Sequence, residues 1–214
     1  MKMNKFYSFT LFSSTPFSKF SLVKEIAFSA LLGCLFLAGN LQAQVNVTAT
    51  GGTMMASYGT LSAAITAINA GTHTGTITVD VMAGHTETLS ARIDLTATGT
   101  MANPITIQKS GAGANPLLTA YVGTNLPTSA DRDGMFSLSG SDWVTIDGID
   151  LQDAPGNTDA TTTMEYGYGL FKSSGTDGCQ NVTIKNCTIT LNRVNNGAWT
   201  GNGHKGSIGI TLNH

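Results

Sequence analysis

Two short segments of this chain superimpose with the same fault in each. Val144-Thr145-Ile146-Asp147-Gly148-Ile149-Asp150-Leu151 lies over Val182-Thr183-Ile184-Lys185-Asn186-Cys187-Thr188-Ile189. Apolar residues fall at matching places: Val144 on Val182, Ile146 on Ile184, Ile149 on Cys187 and Leu151 on Ile189. In both copies the period-two alternation of a half-buried strand stops for two residues and then resumes. The second residue of that break is Gly148 in one copy and Asn186 in the other. These residue types enter left-handed backbone conformations most cheaply. Each copy therefore reads as a strand, a sharp corner and a second strand with its inward face preserved. One flat sheet has no use for that pattern. A chain that coils, laying each turn on the one before, requires it.

The repeat extends outward. Gly134-Met135-Phe136-Ser137-Leu138-Ser139-Gly140 aligns with Gly169-Leu170-Phe171-Lys172-Ser173-Ser174-Gly175, each leading into its Val-Thr-Ile strand. A third copy begins at Gly206-Ser207-Ile208-Gly209-Ile210-Thr211-Leu212. Self-similarity of this kind indicates stacked units sharing one core. The residues in excess of one coil are assigned to loops at 152–166 and 192–205, both rich in Gly, Asn, Asp and Thr. The chain stops at His214 within what reads as a coil, so a fragment is expected, with further coils or C-terminal domains missing.

Upstream, residues 57–71 form the one expected mature helix. Leu61, Ala64, Ile65 and Ile68 share one face, Thr60 is a plausible N-cap and Gly71 a stop. Such a helix, ahead of a strand-only region, is expected to cover the open end of a stack. Thr76–Val81 alternates strictly and is a strand. Leu89, Ile93 and Leu95 suggest a second, and Asn103-Pro104-Ile105-Thr106-Ile107 a third with proline at its start. The segment 111–116 is a turn, apolar character resumes at Leu117-Leu118, and 121–133 is a polar excursion.

Residues 1–44 read as a signal peptide. Lys2, Lys5, Lys19 and Lys24 form a basic lead, and Ile26–Ala38 is apolar but too short to span a bilayer. Cleavage is expected near Ala43 or Gln44, leaving one domain over 45–214 that is secreted or displayed at the cell surface. Leu32-Gly33-Cys34 resembles a lipid-attachment box, but the apolar run continues past the cysteine. The whole chain carries a net charge of −2. Loss of the lysine-rich leader makes the mature chain more acidic. That is a poor match to nucleic acid, which needs clustered Lys and Arg. In the mature chain Cys179 and Cys187 remain. Export permits a disulfide between them, whereas the overlay of Cys187 on Ile149 makes it a small buried apolar residue.

The capping helix, Thr78-Val79-Asp80-Val81-Met82-Ala83-Gly84-His85-Thr86-Glu87, Asn103–Gly111 and the Val-Thr-Ile rungs together resemble the right-handed parallel β-helix proteins of the pectin-lyase-like superfamily. The wording is most like large secreted bacterial β-helix surface proteins. The resemblance covers roughly 50–214 and implies an all-β solenoid with one N-terminal capping helix. It is poorly specific for activity, because such proteins include polysaccharide lyases, glycoside hydrolases and non-enzymatic adhesins.

Several residues could carry chemistry. Asp147 and Asp150, with Asp142 and Asp153, form the densest acidic group. As outward residues they could make a paired-carboxylate site or hold a Ca²⁺ that neutralises a uronate, or simply be solvated turn carboxylates. Lys185 overlays Asp147 one coil later and is expected to stack on it as an ion pair. Lys185 or Arg193 could otherwise act as a lyase base or substrate clamp. Asp131-Arg132-Asp133-Gly134 has the carboxylate rhythm of a calcium loop, with Asp131 and Asp133 as ligands, but lacks the later glutamate. Trp143 is expected to point outward as a platform for sugar rings, with Tyr166 and Tyr168 extending the patch. Its plain alternative is a corner residue over the 152–166 loop. His73, His85 and His204 share no metal-ligand spacing. No cofactor is expected beyond a possible Ca²⁺.

Two functions are consistent with these residues. One is a non-catalytic surface scaffold contacting extracellular polysaccharide. The other is a polysaccharide lyase or glycoside hydrolase acting on acidic glycans. An enzyme should gather acids or bases on one outward face at consecutive coils. A scaffold should place Thr, Ser and Asn there, as the overlaid Thr145 and Thr183 do.

Overall fold

A computed structural model describes residues 44–124, 133–192 and 207–212. They form an all-β unit with one described helix and three sheets. Strands β1 (Val45–Gly52) and β2 (Met55–Tyr58) come first, followed by helix α1 (Leu61–Asn69). Twelve strands follow: β3 (His73–Met82), β4 (Thr86–Thr88), β5 (Ile93–Leu95), β6 (Ile105–Ser110), β7 (Leu117–Thr119), β8 (Gly134–Ser139), β9 (Val144–Asp147), β10 (Asp150–Gln152), β11 (Tyr166–Phe171), β12 (Thr183–Lys185), β13 (Ile189–Thr190) and β14 (Ile208–Leu212). From β3 onward the chain deals its strands to the sheets in strict rotation. Sheet A runs β12-β9-β6-β3-β1-β2, sheet B β13-β10-β7-β4 and sheet C β14-β11-β8-β5. Every pairing between circuits is parallel. Sheet A is mixed at one edge only, where β1 pairs antiparallel with both β2 and β3.

In sheets A and B the register matches the repeat read from sequence. Val79, Ile107, Ile146 and Ile184 form one inward column of sheet A, and Leu118, Leu151 and Ile189 one of sheet B. Between the sheets, Gly148 has φ +71 and Asn186 φ +56, so the two breaks are the same bend. A second left-handed pair, Trp143 (φ +52) and Asn181 (φ +55), flanks the other end of the same strands. Its residue types give less warning of a bend, a tryptophan least of all.

Helix α1 closes one side of this arrangement. Thr60 is its N-cap, its hydroxyl oxygen accepting from the Ala63 N–H at 3.2 Å, and Gly71 follows the helix with φ +73. Leu61, Ala64, Ile65 and Ile68 are buried in the main core. The helix touches the first rotating strand of every sheet: β3, β4 through Glu87, and β5 through Asn69, whose side chain bonds the backbone of Asp94, Thr96 and Ala97. The hairpin β1–β2 shares that side, an element absent from the sequence reading. Its Thr- and Gly-rich stretch carries only Val45 and Val47 as fully buried side chains.

Two expectations need correction. The weak strand drawn from Leu89 to Leu95 is only Ile93–Leu95, β5 of sheet C; Leu89 lies outside it, just after β4 of sheet B. The alignment of Gly134–Gly140 on Gly169–Gly175 is out of register. Phe136 pairs with Tyr168, Leu138 with Leu170, and Gly134 with Tyr166. β14, drawn as part of a third copy, joins the same sheet, with Ile210 beside Tyr168 and Leu212 beside Leu170 rather than in the register of Gly206 on Gly169.

Candidate functional site

The outward face of sheet A is where the sequence concentrated its candidates. Thr78, Thr106, Thr145 and Thr183 stand in one column, a hydroxyl at every rung. The neighbouring column is Asp80, Gln108, Asp147 and Lys185. Within it the charges are engaged by their neighbours. Gln108 Nε2 donates to Asp80 Oδ1 at 2.8 Å, and Lys185 Nζ lies 3.2 Å from Asp147 Oδ2. The expected Asp147–Lys185 pair therefore forms. Asn186 Nδ2 also donates to Asp147 Oδ1 at 2.7 Å. The Asn186 bond, then the lysine, hold the Asp147 carboxyl below the usual carboxylate range.

Asp150 lies beyond the bend, on sheet B rather than sheet A. Its Oδ1 accepts from Asn115 Nδ2 at 2.9 Å and from the Thr188 N–H at 2.8 Å. Asn115 donates as well to the Asn186 carbonyl at 2.9 Å. Asp147 and Asp150 are thus joined through Asn186 and Asn115, side-chain braces between successive bends. This arrangement satisfies backbone groups at the corner and fixes its shape. Asp142 and Asp153 do similar work: Asp142 Oδ1 accepts from Gln180 N at 2.6 Å, and Asp153 from Ala154, Met164 and Asn192 N–H groups.

The aromatic patch is not assembled. Tyr166 is 1% exposed and Tyr168 fully buried, so neither extends a surface around Trp143. Tyr168 packs on Phe136 with ring centroids 5.7 Å apart and donates to the Ile149 carbonyl at 2.8 Å. Tyr166 stands edge-on to Phe171 at 5.4 Å, directly over Gly134, where a Cβ would fall 2.0 Å from its ring. Trp143 itself is half-buried at its left-handed bend. Its carbonyl accepts from Ile105 N–H, and its N–H donates to the Gln180 carbonyl, both at 3.0 Å.

Asp133 is 4% exposed, far from an open calcium loop. Its Oδ2 accepts from the Thr124 N–H at 2.6 Å, and its own N–H donates to Glu165 Oε2 at 2.8 Å. Burial pushes its carboxyl upward against the opposing effect of the Thr124 bonds and of the Tyr121 hydroxyl. Asp131 and Arg193 lie outside the described residues. Among the described residues no three His, Cys, Asp or Glu side chains are placed to hold a metal ion. Cys179 and Cys187 are both free, their thiols directed to backbone carbonyls.

Sequence reasoning passed over two polar groups, one half-buried and one buried. Arg92 bridges Asp94 at 2.5 Å and donates to the Tyr166 hydroxyl at 3.1 Å on sheet C. Glu87, an inward residue of β4, meets the N-terminus of α1. An isolated Glu at an inward strand position was the available signal.

Comparison with family models, with curated proteins and with solved structures yields no match for this chain. Among the described residues no helix is long and apolar enough to cross a membrane.

Proposed function

We propose that the three-sheet rotation is a right-handed parallel β-helix of the pectin-lyase-like kind. In this reading it serves as a secreted or cell-surface scaffold module that contacts polysaccharide without transforming it. The observation that carries this reading is the outer face of sheet A. Its central column is threonine at each rung, and the acids beside it are taken up by Gln108, Lys185 and Asn186. Catalysis on a glycan needs an acid or base within reach of the reacting bond and poised to exchange a proton. Asp147 is instead held in its charged form by its partners, and Asp150 is spent on the bend. A ladder of hydroxyls at strand spacing, about 4.8 Å, presents repeated hydrogen-bonding groups to a repeating polymer.

The test is retention of the mature chain on a panel of immobilised neutral and uronic-acid polysaccharides, with unsaturated-uronide absorbance followed in parallel. Binding to at least one polymer without product is expected. Product formation would overturn the non-catalytic assignment, and failure to bind any polymer would overturn the polysaccharide contact.

A further inference from the structure

The threonine column of sheet A continues past β3. Thr48 of β1 pairs with Thr78, so Thr48, Thr78, Thr106, Thr145 and Thr183 stand on five adjacent strands. All five are exposed or half-exposed. Among the described residues nothing hydrogen-bonds their hydroxyls. At strand spacing the column is about 19 Å long.

The column beside it reads Ser57, Asn46, Asp80, Gln108, Asp147 and Lys185, and it is closed on itself in three adjacent pairs. Ser57 Oγ donates to Asn46 Oδ1 at 2.7 Å, Gln108 is bonded to Asp80, and Lys185 is paired with Asp147. Lys185 is the one cation in these two columns. Lys109, near the end of β6, donates its Nζ to the Gly113 carbonyl at 3.2 Å. Residues 44–79, which supply β1, β2, α1 and most of β3, contain no Asp, Glu, Lys or Arg. The face therefore holds no unpaired cation for a carboxylate-bearing polymer and sets Asp80 and Asp147 against one. A uronate that captured Lys185 would only exchange one carboxylate for another and leave Asp147 without its lysine.

We infer that the ligand of this face is an uncharged polysaccharide that lies across the strands, along the threonine column, and is held by hydroxyl groups rather than by charge. This rests on the polysaccharide-contacting reading above and narrows it to neutral polymers. A hydroxyl both donates and accepts, so each threonine meets a sugar hydroxyl in either sense. One such bond is weak, because it replaces a bond to water. Five on one rigid ladder act together, since the first contact brings the next sugars within reach of the next rungs. Tyr166 and Tyr168 are buried, so neither offers this face a ring for stacking.

The test compares retention of the chain on cellulose, xylan and mannan with retention on polygalacturonate. Stronger retention on at least one neutral polymer is expected. It should change by less than about twofold between about 0.01 and 1 M salt, over which the screening length falls from about 30 to 3 Å. Thr106→Val combined with Thr145→Val keeps the branched shape and removes two hydroxyls, and should weaken retention by about tenfold. Serine at both positions should restore most of it. Lys185→Ala should leave retention within about twofold. Equal or stronger retention on polygalacturonate, loss of retention in salt, or unchanged retention in the valine variant would overturn the inference and leave polysaccharide contact standing. Retention on none of the four polymers would overturn both. Should the valine variant not fold, the salt series on the unaltered chain decides.

Discussion

Sheets A and C are both built from successive parallel strands but bury them differently. Along β6 and β9 of sheet A, buried Ile105, Ile107, Val144 and Ile146 alternate with half-exposed polar residues. In sheet C the central strands β8 and β11 are buried almost throughout, both faces included. The second face of sheet C is occupied by Tyr166, which is buried without belonging to the main apolar cluster. It is held by Phe171, Arg92 and the gap left by Gly134. One sheet thus keeps a face for solvent or ligand, and the other spends both faces on packing.

The largest effect that would sharpen this difference is truncation inside sheet C. Phe136→Ala should cost about 3–5 kcal/mol in denaturant unfolding, by loss of the buried ring and its contact with Tyr168. Gly134→Val should cost about 1–3 kcal/mol or more, because its side chain must displace the Tyr166 ring. At the bend between sheets A and B, Gly148→Ala should cost about 1–2 kcal/mol for a left-handed non-glycine residue. Asn186→Gly, at the equivalent bend, relieves that strain but loses the Asp147 brace, and a net change within about 0.5 kcal/mol is expected. Lys185→Ala on the open face should change stability by about 0–1 kcal/mol. If Lys185→Ala cost more than Phe136→Ala, the contrast between the sheets would be broken.

The same contrast explains what could be read from the amino acids. On sheet A, one buried face gives alternation, and alternation fixes register, because a one-residue slip would turn every side chain over. The Ile146–Ile184 and Asp147–Lys185 neighbours and the Gly148 and Asn186 bends were all legible for that reason. On sheet C, with both faces buried, alternation fades. The shared Phe of Gly134-Met135-Phe136 and Gly169-Leu170-Phe171 suggested a register that the structure replaces with Phe136 beside Tyr168. The same loss of pattern turned Tyr166 and Tyr168 into supposed surface aromatics. Trp143 stands at a left-handed bend, which interrupts the alternation from which an outward direction was drawn. Buried Glu87 depends on contacts with Leu61 and Ser62, distant in sequence, which composition does not reveal.

Asp133 offers a pH test confined to sheet C. Its carboxyl is raised in the folded chain, so the folded state binds that proton more tightly than the unfolded one. Its contribution is therefore fully present below the unfolded value near pH 3.9 and is lost as pH rises through the folded one. Asp133→Asn should remove this component of the unfolding profile while retaining an acceptor for the Thr124 N–H.

Parallel, in-register stacking of successive circuits is most directly tested by methyl NOEs in a chain labelled at Ile and Val. The account predicts cross-peaks joining Ile77 with Ile105, Val79 with Ile107, and Ile146 with both Ile107 and Ile184. Cross-peaks joining Ile77 with Ile107 and Val79 with Ile105, the antiparallel pattern, or no contact between Ile146 and Ile184, would contradict it.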